Sequence, residues 1–347
     1  MQAIYETQST QRMAYRVAAR TIVVEAQDTW SARVIEKYFA GWYLIPDNEI
    51  PHGSLDESFA PDIVISDSLK SPEIPNALPH FEIAGGGTCF TDGKTSYIDI
   101  EGSTVAIGKA GDAPVEVWTN GQLEPQSPAL TRVVTYALAA ALRRRGLFEL
   151  HSGAAIDPES GQGVLIIGPS GSGKSTLTVQ LAAAGWSFLT DDVLVLSAQD
   201  AEVKAWPIRR CFAITGETFA ASKFLQTRAS LSHMQAQSED KNNAKRQFLP
   251  HAVFNSKFKD QCIPKKLFFS EISRGEHSRI LQLSSAETMA RLIRMNPWSC
   301  YDRSTAAEHL AVLSALVKQS AGYSLLAGKD LLDAETSANL IAECTRD

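Results

Sequence analysis

GPSGSGKST, running from Gly168 to Thr176, fits the pattern G-x-x-x-x-G-K-[ST] at every fixed position. Average residue usage gives such a match in roughly one chain in a hundred of this length, so its neighbours must decide what it means. Ahead of it lies the apolar run VLIIG (Val164 to Gly168), which predicts a strand. Behind it lies KSTLTVQLAAAG (Lys174 to Gly185), which predicts a helix closed by a left-handed Gly185. Strand, glycine-rich turn and helix form the setting in which backbone N–H groups at a helix N-terminus gather around phosphate oxygens. The predicted cradle is Gly168, Pro169, Ser170, Gly171, Ser172, Gly173, Lys174, Ser175 and Thr176. Its glycines permit the turn, Lys174 on an accessible loop brings a positive charge to the β- and γ-phosphates, and the Ser175 hydroxyl is a ligand for Mg²⁺.

The acids follow in WSFLTDDVLVLS, read as one apolar strand with Asp191 and Asp192 near its middle. A carboxylate on a strand beside a phosphate loop is placed to hold a metal. On extended backbone two successive side chains point to opposite faces, so one can serve the metal while the other faces an incoming nucleophile. Charges in an apolar strand are costly unless exposed or neutralised, which argues against a casual pair. His151, in LFELHSGAAID, precedes the turn PESGQG and the strand VLII. Two paired strands there would bring His151 near the loop, to donate to a phosphate oxygen or to polarise an acid. A lone histidine beside a strand is by default a structural side chain.

Toward the N-terminus the chain predicts strands rather than helices. DIVIS, SYIDIEG, TVAIG and VEVWTNG are short apolar runs between Gly, Asp and Pro, read as hairpins of an antiparallel sheet. TWSARVIEKYFAGWYL predicts one short helix, and QLEPQSPAL closes the region. The expected division is a β-rich domain over 1–124 and an α/β domain over 125–347. The second opens with the helix LTRVVTYALAAALRRRG, whose last turn is basic and which ends at Gly146. From Phe219 to Cys262 the chain turns polar, strand-poor and basic, which reads equally as a segment that orders over the site with nucleotide or acceptor and as a solvated surface insertion. Beyond it KKLFFSEIS predicts a strand, and SSAETMARLIRM and STAAEHLAVLSALVKQS two helices. Alternating strands and helices around a phosphate loop indicate an α/β sheet.

The 347 residues carry 33 basic and 39 acidic side chains, a net charge of -6. That balance gives no general attraction to nucleic acid or anionic membrane. No apolar run approaches the ~20 residues that cross a bilayer, and MQAIYETQSTQRMAYR lacks a signal-peptide core, so the expectation is a cytoplasmic protein. Five cysteines, widely spaced and without a CxxC pair, predict buried thiols rather than a zinc site.

The run from His151 through GVLIIGPSGSGKSTLTVQLAAAGWSFLTDDVLVL resembles HPr kinase/phosphorylase and its broader relatives, in which a His, a phosphate loop and an Asp-Asp pair occur in this order. The likeness extends into WPIRR, where Pro207 and Arg209 match a Pro-x-Arg element, and to IPKKLFFSEI and SSAETMARLI. The resemblance implies an HPr kinase-like P-loop kinase domain that uses ATP and Mg²⁺ to phosphorylate a hydroxyl, usually serine. It gives His151 an active-site place, Ser175 and Asp191 the metal, Asp191 and Asp192 the metal-linked acid and the base, and Arg209 a contact with phosphate or substrate. The family's EIRGLGI-like segment, tied to its phosphorylase reaction, is absent, which argues against HPr as the acceptor. The N-terminal region looks more like leaders of homologues that phosphorylate lasso-peptide precursors. The expected partner is a peptide or protein carrying the acceptor serine, with homo-oligomers left open. A small-molecule hydroxyl kinase, a carboxykinase-like enzyme and an acceptor-free P-loop NTPase stay open beside it, although no LSGGQ-like signature supports a transporter motor.

Overall fold

A computed structural model describes residues 10–39, 45–46, 60–66, 72–75, 78–83, 86–92, 94–108, 113–199, 202–208, 212–228, 236–237, 245–248, 250–254 and 258–344. The fold is mixed α/β, with two large mixed sheets. Chain contacts divide it into two compact units, one of Met1–Leu147 with Trp298–His309 and one of Phe148–Pro297 with Leu310–Asp347.

The first unit contains β1 (Gln11–Val17), β2 (Arg20–Ala26), α1 (Thr29–Tyr38), β3 (Ile45–Pro46), β4 (Ile63–Ser66), β5 (His80–Glu82), β6 (Thr88–Thr91), β7 (Ser96–Ile100), β8 (Ser103–Ile107), β9 (Val115–Trp118) and α2 (Pro128–Arg144). Its nine strands run in the order β3-β1-β2-β4-β9-β8-β7-β6-β5. The runs expected as strands are strands, but the sheet is not wholly antiparallel: β4 lies parallel to both β2 and β9. The chain between these strands is long enough for crossovers, which short hairpin turns do not supply. Helix α1 begins at an Asp28 N-cap, and its described part ends sooner than the predicted run. Helix α2 has Ser127 as N-cap, Pro128 in its first turn, and basic Arg143 and Arg144 in its last. It packs on β7, β8 and β9. The boundary expected at 124/125 and the unit boundary at 147/148 enclose α2 between them.

A charged cluster is buried within this unit. Arg143 Nε donates to Asp302 Oδ2 at 3.1 Å, and the Arg143 guanidinium stacks 5.3 Å over the Trp298 ring. His309 is buried with them; desolvation, and then the Arg143 charge, push its pKa down to about 4, against the opposing pull of Asp302. Burial alone would raise the Asp302 carboxyl, but Arg143 and the Ser304 hydroxyl hold it below its usual range. The unfolded chain therefore takes up a proton at His309 near pH 6.5 that the folded chain refuses until about pH 4. Stability from this group is complete above pH 6.5 and is lost as pH falls through that window, on the order of a few kcal/mol. Urea midpoints at pH 7, 6 and 5 should fall steeply in the wild type and less so in His309→Gln. A flat wild-type profile would exclude a buried neutral histidine.

The second unit holds β10 (Phe148–Ile156), β11 (Gly163–Ile167), α3 (Lys174–Ala183), β12 (Ser187–Thr190), β13 (Val193–Gln199), β14 (Glu202–Pro207), β15 (Phe212–Ile214), α4 (Gly216–Ala221), α5 (Lys223–Arg228), β16 (Ala236–Gln237), β17 (Lys245–Phe248), α6 (Pro250–Phe254), β18 (Pro264–Ile272), β19 (Arg279–Leu283), α7 (Ser285–Met295), β20 (Ala321–Ala327) and α10 (Ala334–Glu343). Two further helices come between α7 and β20: α8 (Trp298–Tyr301), which lies in the first unit, and α9 (Ala306–Gln319), which begins there. The main sheet runs β14-β13-β10-β11-β18-β20-β19, with β12 also pairing β10. Only β11, β18 and β20 are mutually parallel. Leu165 and Ile167 of β11 face a cluster with Leu292, Leu313 and Leu316. Val164 and Ile166 face the other side, with Leu177, Leu181 and Ile341. Helices thus cover both faces, and each buried aliphatic side chain contributes about 1.5–3 kcal/mol. Helix α7 starts at the capping box of Ser284 and Glu287.

Within the polar stretch from Phe219 to Cys262 the described strands are short: β17 pairs with β16 and with β15, which lies just ahead of the stretch, in a small antiparallel sheet. Phe219, Phe224, Phe248 and Phe254 anchor it against Phe188 and Phe212. Aromatics spread one at a time through a polar segment leave no periodic signal, yet together they make a core. Residues 229–235, 238–244, 249 and 255–257 of the expected ordering segment lie outside the described residues. Cys89 and Cys262 are buried thiols, and burial pushes Cys262 up to about 12; Cys344 is half-buried.

Candidate active site

β11 delivers the chain to the glycine-rich loop at the middle of the sheet. Gly171 and Gly173 have φ of 81° and 89°, a left-handed backbone that only glycine adopts without strain, and Gly173 is the N-cap of α3. No side chain caps that helix, so its first N–H groups are presented by the loop alone, as phosphate binding requires. The Ser172 hydroxyl is buried there without a hydrogen-bond partner among the described residues. A loop of this shape, with a serine hydroxyl inside it, fits a nucleotide's phosphates.

Lys174 is the first residue of α3, and it is only 5% exposed rather than on an accessible loop. Its Nζ donates to the carbonyls of Gly168 at 2.9 Å and Pro169 at 2.8 Å. The side chain folds back along the loop because a buried ammonium needs acceptors, and the loop's first two carbonyls supply them. Thr176, expected in the cradle, turns its hydroxyl to Thr218 of α4 at 2.9 Å. Arg209 lies outside the described residues.

WSFLTDDVLVLS is not one strand. β12 and β13 both pair with β10, Thr190 with Ala154 and Val193 with His151 in one register, and the chain bends between them at Asp191 and Asp192; the register shifts only within β12, beyond Thr190. A bend, rather than pleat alternation, therefore sets the two carboxylates apart. Asp191 is 1% exposed, and its Oδ2 accepts the Ala213 N–H at 3.2 Å. The Ser175 hydroxyl donates to the Asp191 backbone carbonyl at 3.3 Å, so loop serine and inner acid meet. Asp192 points outward, its side chain 31% exposed, and its Oδ1 contacts His151 Nε2 directly; the His151 side chain is 38% exposed. β10 places that histidine, since Ser152 pairs with Ile167 of β11 and His151 with Val193. The structure thus brings together His151, Ser175, Asp191 and Asp192 beside the loop.

Ser175 and Asp191 offer hard oxygen donors suited to Mg²⁺, which commonly takes one carboxylate and completes its shell with phosphates and water. Among the described residues no group of three or more His, Cys, Asp or Glu side chains gathers as a metal site. The fit therefore rests on these two residues and a nucleotide's own oxygens.

Two supporting residues escape the motif. Ser270 of β18 donates from Oγ to the Ser172 carbonyl at 2.8 Å and fixes the loop from the neighbouring parallel strand. A buried serine in the apolar run KKLFFSEIS was a visible signal. Gly153 of β10 lets α3 close on the sheet: a Cβ there would overlap the Thr178 hydroxyl, which is itself bonded to the Lys174 carbonyl at 2.9 Å. Gly153→Ala should cost about 1–3 kcal/mol and displace the start of α3. A melting temperature and Mg-ATP affinity both unchanged would show that the contact is slack.

No protein-family model matches the chain, and no curated protein matches it. Among solved structures, the chain is similar to the HPr(Ser) kinase/phosphatase from Coxiella burnetii, at 15% identity over 39% of this chain and 72% of that one, with a TM-score of 0.25. A likeness at that level adds nothing to the chemistry read from the residues. Among the described residues no helix is long and apolar enough to cross a membrane.

Proposed function

We propose that the protein is an ATP-dependent kinase that transfers the γ-phosphoryl group to a serine-type hydroxyl of a peptide or protein. The supporting observation is the outward Asp192–His151 pair beside Ser175, Asp191 and a phosphate-binding loop. A loop built only to hold a nucleotide needs no half-exposed acid–histidine pair, whereas transfer to a hydroxyl needs a base within reach of it.

Asp192 accepts the acceptor's proton as the new O–P bond forms and the bond to the β-phosphate oxygen breaks. His151 holds the Asp192 carboxylate in place and shares the charge change. Lys174, tethered at the loop's entrance, and the α3 N-terminus balance the negative charge of the phosphates. Ser175 and Asp191 would hold Mg²⁺, which when bound neutralises charge on the β- and γ-phosphates. Arg209 is proposed, on the resemblance, to contact phosphate or substrate. A lasso-peptide precursor is one acceptor of the proposed class, and it too rests on the resemblance alone.

The test is mass spectrometry of serine-containing peptides after incubation with the protein and Mg-ATP. A phosphate added to serine, with ATP turnover dependent on the peptide, supports the reading. Turnover that is indifferent to any hydroxyl acceptor replaces it with an NTPase.

A further inference from the structure

Ile272 closes β18 and is 62% exposed; with Glu271 it forms the open end of a strand whose earlier residues, Pro264 to Ser270, are buried or half-buried. It borders the phosphate loop: a Cβ built at Gly173 would lie 3.7 Å from Ile272 Cγ1. The turn that follows is pinned. Ser273 N–H donates to Ala327 O at 2.7 Å and Gly275 N–H to Ser273 Oγ at 2.9 Å. Lys329 N–H donates to Gly275 O at 3.1 Å, and Ser278 N–H to Asp330 Oδ2 at 2.8 Å. An apolar side chain is thus held in the open, against a site for charged phosphates, by a turn with little freedom to move.

The order of strands says what covers it. Asp192 and His151 lie on the β10 side of β11, where the γ-phosphate must meet its acceptor. Ile272 lies on the opposite side, on β18. Strands are ~4.8 Å apart, so β10 and β18 are about 10 Å apart across the sheet, a span comparable with a triphosphate chain. A triphosphate whose far end faces Asp192 therefore runs across β11 toward β18, and its sugar and base arrive beside Ile272.

Resting on the kinase reading, we propose that Ile272 is the apolar platform for the nucleoside half of the nucleoside triphosphate. Its side chain packs on the sugar and base, while the loop holds the phosphates. The residue determines nucleotide affinity and takes no part in transfer.

The experiment compares Mg-ATP with inorganic tripolyphosphate, by calorimetry, on wild type, Ile272→Ser and Ile272→Leu. Ile272→Ser should bind Mg-ATP about tenfold more weakly, the cost of about 1.4 kcal/mol of lost apolar contact, and bind tripolyphosphate as the wild type does. Ile272→Leu should restore most of the ATP affinity. Equal ATP affinity in wild type and Ile272→Ser overturns the platform while leaving the phosphate loop standing, and so does an equal loss for both ligands. A wild type that binds neither ligand overturns the phosphate loop and the platform with it. Ile272 is largely in water, so the serine variant should melt with the wild type.

Discussion

Asp192→Asn should bind Mg-ATP with near wild-type affinity and transfer phosphate about 10²–10⁴-fold more slowly, the range for loss of a general base. The asparagine keeps the shape that meets His151 but cannot take a proton from the acceptor hydroxyl. Because Asp192 faces outward, its loss leaves the loop and the Asp191–Ser175 contact untouched. Asp191→Asn is the contrast. That carboxylate is buried and bonded to the Ala213 N–H, so its change should weaken nucleotide affinity and Mg²⁺ dependence together. Single-turnover transfer to a serine peptide and nucleotide titration, run on both variants, separate the two roles. Wild-type transfer by Asp192→Asn would put the base elsewhere.

Lys174→Ala should weaken Mg-ATP binding by about 10- to 100-fold, since one charge-assisted hydrogen bond is worth about 1.5–3 kcal/mol. Its burial adds a second effect. Two loop carbonyls, of Gly168 and Pro169, lose their ammonium donor, which should lower the melting temperature by a few degrees. Titration and thermal denaturation of the same sample read both. Unchanged affinity in a folded variant would remove Lys174 from the phosphate site.

Much of the site was legible because it is local. The fixed spacing of the loop, the strand before it and the helix after it follow from residues within a few positions of one another, and Gly185 does carry the positive φ expected of a helix end. His151 could be placed near the loop because β10 and β11 are joined by a short turn. What was not legible depends on partners far away in sequence. The break at Asp191 separates two segments that both pair with the distant strand β10, which no apolar run can announce. Ser270 reaches the loop only because β18 lies parallel to β11. The parallel pairing of β4, and the aromatic core assembled from Phe188 to Phe254, are likewise set by chain topology rather than by local pattern.

The buried ion pair of Arg143 and Asp302 has a consequence for how the chain is made. The two residues are 159 positions apart, so at ~5–20 residues per second the ribosome delivers the carboxylate roughly 8–30 s after the guanidinium. Until then Arg143 lacks the carboxylate it meets in the folded unit, and burial of a guanidinium is penalised less when that acid is in place. That pairing forms only after the whole phosphate-loop segment from Phe148 to Pro297 has emerged. The last stages of synthesis therefore finish the first-made part of the protein.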